Sequence, residues 1–324
     1  MNVSVVLCTY EGAAYIGEQL QSILQQTRPP DEIVLSDDAS GDATIAVAEE
    51  LLCGSGITYE IHRNAQNIGF QQNFAQAMQR AHGDILFLSD QDDVWHPEKI
   101  ARMLVPFRRP ETLLAFHDAA LVDDGLRPLA PSFWQIMPFD PAPFAEGDYR
   151  RLLVSNVVQG SASAFRRRLL RDALPIPGIA IHDEWLALFA ALRGGLVPVP
   201  DVLMQYRQSA GSALGAGAAT WRDCLMRWLR HFREKSAVAR NELQRRRDGL
   251  GIWLPRARFL APEAPFLAQV ADGRCWLDER IAAIDCGPCD VLCHVGLYDN
   301  LSGPRLACRE FCKDIVISCW KKKI

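Results

Sequence analysis

Apolar segments alternate with amphipathic segments through the first 90 residues, and this alternation limits the possible folds more than any other feature of the chain. The apolar segments are rich in β-branched residues, which is typical of strands buried on both faces. Between them, apolar residues recur at helical spacing. The predicted strands are 3–8, 32–40, 57–63 and 84–89, and the predicted helices are 13–26, 42–52 and 69–83. This β-α-β-α-β-α-β order predicts an α/β fold with a mostly parallel, doubly wound sheet.

Polar residues lie at the ends of three of the predicted strands. Thr9, Tyr10 and Glu11 follow the first strand, 36–38 lies in the polar end of the second, and 89–93 starts at the last residue of the fourth. Ligands of open α/β sheets bind outside the carboxyl ends of the strands. We therefore expect the three polar tips to line one crevice.

The third tip, in "LFLSDQDDVWHP", contains three carboxylates: Asp90, Asp92 and Asp93. We call it the acidic tip. Like charges this close repel, and each raises the pKa of the next. An Asp-X-Asp sequence at a strand end suits Mg²⁺ or Mn²⁺, which take oxygen ligands and are usually completed by substrate phosphates. A solvated acidic turn is the alternative. The preceding strand and the two other polar tips favour the metal.

The chain after residue 110 is less regular. We predict strands at 112–125 and 161–170, the latter running into a helix, then a helix at 183–195 and an extended segment at 196–207. The Gly/Ala-rich segment "GSALGAGA" resembles a linker. It predicts a first domain at 1–210 and a C-terminal extension at 211–324.

Six segments, taken in order, resemble the family 2 glycosyltransferases of the GT-A fold. They are "VVLCTYEG", "EIVLSDDASGDAT", "NIGFQQNFAQAM", "LFLSDQDDVWHPEKI", "NVVQGSASAFRRRLL" and "IHDEWLALFA". The resemblance covers about residues 2–208, and it implies a Rossmann-like central sheet flanked by helices. "SDQDDVW" is similar to a subgroup of rhamnosyltransferases and related enzymes that make surface polysaccharides such as O-antigen.

The resemblance implies roles for the first two tips. Thr9, Tyr10 and Glu11 would line the nucleotide base and ribose, with Tyr10 against the base. Asp38 would accept a hydrogen bond from the pyrimidine N3–H, as a carboxylate can. The neighbouring Asp37 is expected to cap the following turn.

The resemblance also implies a reaction. Asp92 would be the main protein ligand of the metal, Asp90 would lie near the ribose and metal, and Gln91 would belong to the same nucleotide-sugar site. Arg207 would face the diphosphate. Asp183 would be the base that deprotonates an acceptor hydroxyl in an inverting single displacement.

Two alternatives stay open around these residues. Glu184 could replace Asp183 as the base, because helix starts often carry two acids. The adjacent His182 is either a group that orients the base or a surface residue. Relatives often have a His shortly after "YRQ", where this chain has Ser209, so the diphosphate contacts are not fixed by the resemblance.

The expected donor is therefore a nucleotide-diphosphate sugar, either dTDP-L-rhamnose or a UDP-hexose, and the expected acceptor is a surface polysaccharide or a lipid-linked glycan. A sugar-phosphate nucleotidyltransferase is one alternative, but "CTYEGAAYIGEQ" has no Lys or Arg to hold a triphosphate. A non-catalytic nucleotide-sugar-binding protein is another. The presence of Asp183 and of an intact Asp-X-Asp argues against it.

Composition and charge limit the location and partners. A net charge of −4 does not favour nucleic-acid binding, and no apolar run reaches the roughly 18 residues of a spanning helix. The first residues lack the positive region of a signal peptide. We expect a cytoplasmic protein with mostly free thiols, with peripheral contact to the inner face of the plasma membrane as an open alternative.

That alternative concerns the C-terminal extension. The stretch 221–247 contains nine Lys/Arg against three Asp/Glu, together with an aromatic stripe. It is either a solvated face or an interfacial amphipathic helix. The last 40 residues contain six cysteines, which are either free thiols or, with His294, part of a zinc site.

Overall fold

A computed structural model describes residues 1–137, 139–208 and 232–286. These residues belong to two compact units. The first runs from Met1 to Glu146 and resumes at Val158, and the second contains Gly147–Val157 and two long C-terminal helices.

The first unit is built on one mixed sheet. Its strands are β1 Val3–Thr9, β2 Glu32–Asp37, β3 Thr58–Arg63, β4 Ile85–Ser89, β5 Val94–Trp95, β6 Leu114–Val122, β7 Pro128–Ala130, β8 Ser163–Arg166 and β9 Leu196–Arg207. They lie in the order β3-β2-β1-β4-β8-β6-β9-β5, with β7 paired to β6. Strands β1 to β4 are mutually parallel, which confirms the predicted doubly wound half.

Helices cover this sheet. They are α1 Ile16–Leu24, α2 Thr44–Leu52, α3 Phe70–Arg80, α4 Lys99–Met103, α5 Phe133–Ile136, α6 Ala142–Ala145, α8 Leu170–Ala173 and α9 His182–Leu192. Each long helix turns its apolar side inward, as α1 does with Ile16, Leu20 and Ile23, all fully buried. Every residue of β1 is buried, which explains its uninterrupted apolar sequence.

The antiparallel strands complete the edge of the sheet beyond β4. Strand β8 pairs antiparallel with both β4 and β6, and β9 runs parallel to β6. The short β5 pairs with β9, joining Val94 to Gln205. This pairing brings the residues just after the acidic tip next to the end of β9, a proximity that the sequence did not predict.

The second unit contains α7 Arg150–Val154, α10 Phe232–Leu260 and α11 Phe266–Cys286. Gln269 holds the start of α7 by accepting from the Tyr149 backbone N–H at 2.9 Å and donating to the Gly147 carbonyl at 3.1 Å. Gly273 permits close packing, because a Cβ there would lie 2.5 Å from the Leu153 side chain. An internal segment of the chain therefore packs with the C-terminal helices.

The helical C-terminal extension is thus present in the described residues. The division at residue 210, the first part of the basic stretch, 221–231, and the cysteine-rich tail from 287 onward lie outside the described residues. The domain boundary, the interfacial helix and the zinc site therefore stay predictions. None of the described helices combines the length and the apolar character needed to span a bilayer.

Candidate active site

The three polar tips meet at the carboxyl ends of β1, β2 and β4. In the sheet register Thr9 lies beside Asp37, and Leu7 lies beside Ser89. A cleft of about 360 Å³ opens there. It is lined by Cys8, Thr9, Tyr10, Asp38, Asn67, Gly69, Phe70, Asn73, Phe74, Asp90, Gln91, Asp92, Tyr206 and Arg207. Seven of the nine predicted site residues are in this set, and the other two are Glu11 and Asp183.

The acidic tip divides between the cleft and the core. Asp90 and Asp92 are half-buried and line the cleft, whereas Asp93 is fully buried. Burial, reinforced by the charge of Asp92, raises the pKa of Asp90 to about 6. Burial also raises the pKa of Asp92. Both carboxylates therefore gain from a nearby cation at neutral pH.

An ammonium group supplies part of that positive charge from inside the protein. Lys99 is fully buried at the start of α4, and its Nζ donates to the Ser161 carbonyl at 2.6 Å. The same Nζ lies 3.7 Å from the centre of the Trp95 ring, a cation–π contact. Burial lowers the pKa of Lys99, and the charges of Asp93 and Asp90 oppose that shift. The sequence interpretation assigned this charge to a metal alone and missed Lys99.

The carboxylates of the cleft suit a hard divalent cation whose remaining coordination positions are filled by waters and a bound ligand. Among the described residues, no group of three or more His, Cys, Asp or Glu side chains is arranged to enclose a metal by itself. Mg²⁺, however, is usually held by one or two carboxylates together with waters and substrate phosphates. Asp90 and Asp92, side by side on the cleft wall, provide that partial set.

Asp38 lies at the base of the cleft and is only 2% exposed. Its Oδ1 accepts from the Asn64 side chain and from the Ile68 backbone N–H, each at 2.9 Å, and its Oδ2 accepts from the Gly69 N–H at 2.8 Å. Asp38 therefore fixes the loop before α3. The hydrogen bond from the nucleotide base that the resemblance implies would be an additional contact of this carboxylate.

Asp37 is structural, as the sequence predicted. It is fully buried, and its Oδ1 accepts from the Thr9 hydroxyl at 2.8 Å. Its Oδ2 accepts from the Ser40 backbone N–H at 2.8 Å, which closes the turn after β2. Thr9 is thus held in place by Asp37.

Tyr10 and Glu11 complete the tip of β1. The Tyr10 side chain is 49% exposed, which leaves its ring free to contact a ligand in the cleft. Glu11 has a left-handed backbone with φ of 49°, and its carboxylate accepts from the Gly41 N–H at 2.7 Å. Glu11 therefore links the tips of β1 and β2, and it is absent from the cleft lining.

Arg207, at the end of β9, lines the cleft, but its guanidinium is hydrogen-bonded to other groups of the protein. Its Nε donates to the Asp92 carbonyl at 2.8 Å, and its terminal nitrogens donate to the Asp124 carbonyl and to Glu18. The guanidinium carbon lies 4.9 Å from the centre of the Tyr15 ring. This arrangement holds the acidic tip against β9, and a diphosphate contact by Arg207 stays a prediction.

Asp183 lies in the first turn of α9 and is 8% exposed. Its Oδ2 accepts from the Gly160 backbone N–H at 2.9 Å. The preceding His182 is buried and stacks on Phe74, with ring centres 4.2 Å apart. Burial lowers the pKa of His182 to about 3, so this His is neutral and is not the surface residue that was one of the alternatives.

Tyr206 is a cleft residue that the sequence analysis missed. Burial raises its pKa, and the charges of Asp90, Asp93, Asp92 and Asp183 add to that shift. Its hydroxyl group therefore lies within electrostatic range of both the acidic tip and Asp183. Its only signal in the sequence was its position directly before Arg207, at the end of an extended segment.

The sequence profile described as "Glycosyl transferase family 2" matches residues 4–174. The chain belongs to this family. The matched range contains every described cleft residue except the two at the end of β9.

Two relatives are similar to about two thirds of the chain. An uncharacterized protein of Mycobacterium tuberculosis is 28% identical over 214 residues, which are 64% of this chain and 59% of that protein. The match therefore spans less than two thirds of that relative. The dTDP-rhamnosyl transferase RfbG of Shigella flexneri is 25% identical over 223 residues, which are 65% of this chain and 74% of that protein.

Solved structures confirm the GT-A fold. TarS 1–349 of S. aureus in complex with UDP-GlcNAc has a TM-score of 0.56 at 17% identity, covering 100% of this chain and 92% of that one. The mannosyltransferase PcManGT of Pyrobaculum calidifontis in complex with GDP-Man and Mn²⁺ has a TM-score of 0.52 at 20% identity, covering 99% and 88%. These low identities establish a shared fold and no shared substrate.

Proposed function

We propose that this family 2 glycosyltransferase transfers a sugar from a nucleotide-diphosphate donor to an acceptor hydroxyl with inversion, using Mg²⁺ or Mn²⁺. The main support is that Asp90 and Asp92 line the same cleft as the tips of β1 and β2. A bound divalent cation would neutralise the leaving diphosphate. The chain's part is to hold the acidic tip beside the surface that takes the nucleotide, through the bond from Arg207 to the Asp92 carbonyl.

Asp183 is the proposed base. The hydrogen bond from the Gly160 N–H fixes one carboxylate oxygen, so the carboxylate has a defined orientation. Tyr206 lines the cleft together with Asp90 and Asp92, and, besides burial, the charge of Asp183 also helps to raise the pKa of its hydroxyl. An inverting displacement needs only such a base on the acceptor side and no enzyme nucleophile.

The donor is proposed to carry a pyrimidine base, with Tyr10 stacked on it and Asp38 near its N3–H. dTDP-L-rhamnose is the preferred donor, supported by the similarity to RfbG, and a UDP-hexose is the alternative. The exposed Tyr10 ring and the buried Asp38 carboxylate line one cleft, which supports this arrangement. The proposed acceptor is a surface polysaccharide or a lipid-linked glycan, and the proposed location is cytoplasmic.

A donor screen tests the proposal. Thermal shift would be measured with dTDP-rhamnose, UDP-sugars and GDP-mannose, each with Mn²⁺ and with EDTA. We expect stabilisation by a pyrimidine nucleotide sugar that depends on Mn²⁺, and loss of that dependence in Asp92→Asn. Asp201→Asn, at an exposed site on β9, is the matched control. The absence of any metal-dependent donor binding would overturn the proposal.

A further inference from the structure

A second cavity lies at the opposite end of the parallel strands. It has a volume of about 660 Å³, and four arginines line it: Arg166, Arg167, Arg168 and Arg171. We call it the arginine pocket. Asp84, also in its lining, directly precedes β4, and Arg166 pairs with Ile85 at the first residue of that strand. The candidate active site follows the other ends of β1 and β4, about 20 Å away along strands of this length.

Two of the arginines are fixed by backbone carbonyls. Arg166 donates from Nε to the Thr112 carbonyl at 2.8 Å and from Nη2 to the Phe107 carbonyl at 2.6 Å. Arg168 donates to the Pro110 carbonyl. These bonds hold two positive charges close together, and the only carboxylate in the pocket lining is that of Asp84.

The other two arginines provide the free donors. Arg167 and Arg171 are exposed, and within the described part of the chain neither side chain forms an ion pair or a hydrogen bond. Four guanidinium groups around one cavity are an unusual concentration of positive charge in a chain with a net charge of −4. Such a cluster repels itself unless an anion is present.

The remaining lining is largely apolar. Met78 and Leu170 are buried and already pack inside the protein, whereas the half-buried Leu174 and the exposed Met1 offer apolar surface to a ligand. A ligand that combines an anionic group with an apolar chain would contact both parts of the pocket.

We propose that the arginine pocket binds a phosphate group, carried either by a lipid headgroup or by a soluble ester. Guanidinium groups bind phosphate oxygens through paired hydrogen bonds, and this geometry makes arginine the preferred side chain for such ligands. The apolar lining favours the lipid source. The arginine pocket is separate from the candidate active site, so a ligand bound there would anchor or regulate the enzyme without taking part in the reaction.

Binding to defined probes tests the proposal with the full chain in EDTA. The probes are vesicles of phosphatidylcholine, vesicles of phosphatidylcholine with phosphatidylglycerol, and inorganic pyrophosphate. The pocket variant is Arg167→Gln with Arg171→Gln. Its control is Arg108→Gln with Arg127→Gln, an equal change of charge at exposed arginines outside the pocket. Melting temperatures of all variants establish that they are folded.

We expect wild type and control to bind the phosphatidylglycerol vesicles, and the pocket variant to bind them at least about tenfold more weakly. A second variant, Arg167→Lys with Arg171→Lys, keeps the charge and should retain part of the binding. Pocket-dependent binding of pyrophosphate without vesicle binding would support the soluble source. An equal loss in the control, or no binding of any probe by wild type, would overturn the proposal.

Discussion

The side-chain amide of Gln91 forms two hydrogen bonds with the backbone of Tyr10. Its Oε1 accepts from the Tyr10 N–H at 2.8 Å, and its Nε2 donates to the Tyr10 carbonyl at 2.9 Å. Both groups of the amide are therefore used within the protein. Gln91 lines the cleft, as expected, but its contacts indicate that it positions Tyr10 by joining the tips of β1 and β4.

We expect Gln91→Leu to weaken donor binding by loosening Tyr10, with a rise in KM of about tenfold and a smaller change in kcat. Gly12→Ala should have a similar effect from the other side of the contact, because a Cβ at Gly12 would lie 2.1 Å from the Gln91 Oε1. Steady-state kinetics with the donor identified by the screen would measure both changes.

The double variant distinguishes this explanation from two unrelated effects. If both changes break the same pair of hydrogen bonds, the variant with both should lose little more than either alone. If the increase in KM of the double variant equals the product of the two single increases, Gln91 and Gly12 act independently. That result would contradict the positioning role of Gln91.

The parallel half of the fold followed from the sequence, because each of its strands and helices has a local pattern. Periodicity also located β6, β8, α9 and β9. It could not place β5, two residues long and formed only by pairing with β9, nor predict that Gly147–Val157 packs with the C-terminal helices. Such features depend on contacts between residues far apart in the chain.

Prediction of the candidate site from the sequence has the same limit for individual side chains. The polar tips were predictable, since strand ends converge in a parallel sheet. The internal partners were not: Lys99 has the sequence pattern of an ordinary helix start, yet it is fully buried beside the acidic tip. Likewise Arg207 contacts Glu18, which is distant in sequence and belongs to α1.

Asp183→Asn should lower kcat by a factor of about 10² to 10⁴, the usual contribution of a general base, because an amide cannot accept the acceptor's proton. Donor binding, measured by thermal shift, should stay within about twofold of wild type. Glu184→Gln is the control in the same helical turn and should keep most activity. Loss of activity in Glu184→Gln, with activity retained in Asp183→Asn, would identify Glu184 as the base.

The pH dependence of the metal-free protein tests the environment of Asp90. Its pKa rises from 3.8 to about 6 on folding, so between these values the folded protein holds a proton that the unfolded chain has lost. The free energy of unfolding should therefore fall as pH rises through this window and level off above about pH 6. Asp90→Asn should make this fall smaller and raise stability at neutral pH by up to about 3 kcal/mol. Asp92, whose pKa burial also raises, should keep part of the pH dependence.

Urea denaturation in EDTA, at several pH values between about 4 and about 7, measures this difference. Asp201→Asn should leave the slope of stability against pH as it is in wild type, because that carboxylate is 44% exposed. A slope unchanged by Asp90→Asn would mean that another group titrates in the window.

Lys99→Met tests whether the buried ammonium balances the acidic tip. Removing it takes away a positive charge that favours the ionised form of Asp93, whose pKa burial raises. Loss of one partner of a buried charge pair costs up to about 3–5 kcal/mol of unfolding free energy. The second change Asp93→Asn should restore most of that stability, because it removes the charge left unpaired. Chemical denaturation of the two single variants and the double variant gives the coupling energy.

Arg102→Met is the matched control on α4, since its ion pair with Glu98 is at the surface and such pairs contribute about 1 kcal/mol or less. Destabilisation by Lys99→Met that Asp93→Asn does not relieve would locate the loss in the contacts of the Lys99 ammonium with Trp95 and Met204. In that case the acidic tip would depend on a cation from solution for its whole charge balance, and Mn²⁺ would stabilise Lys99→Met as much as wild type.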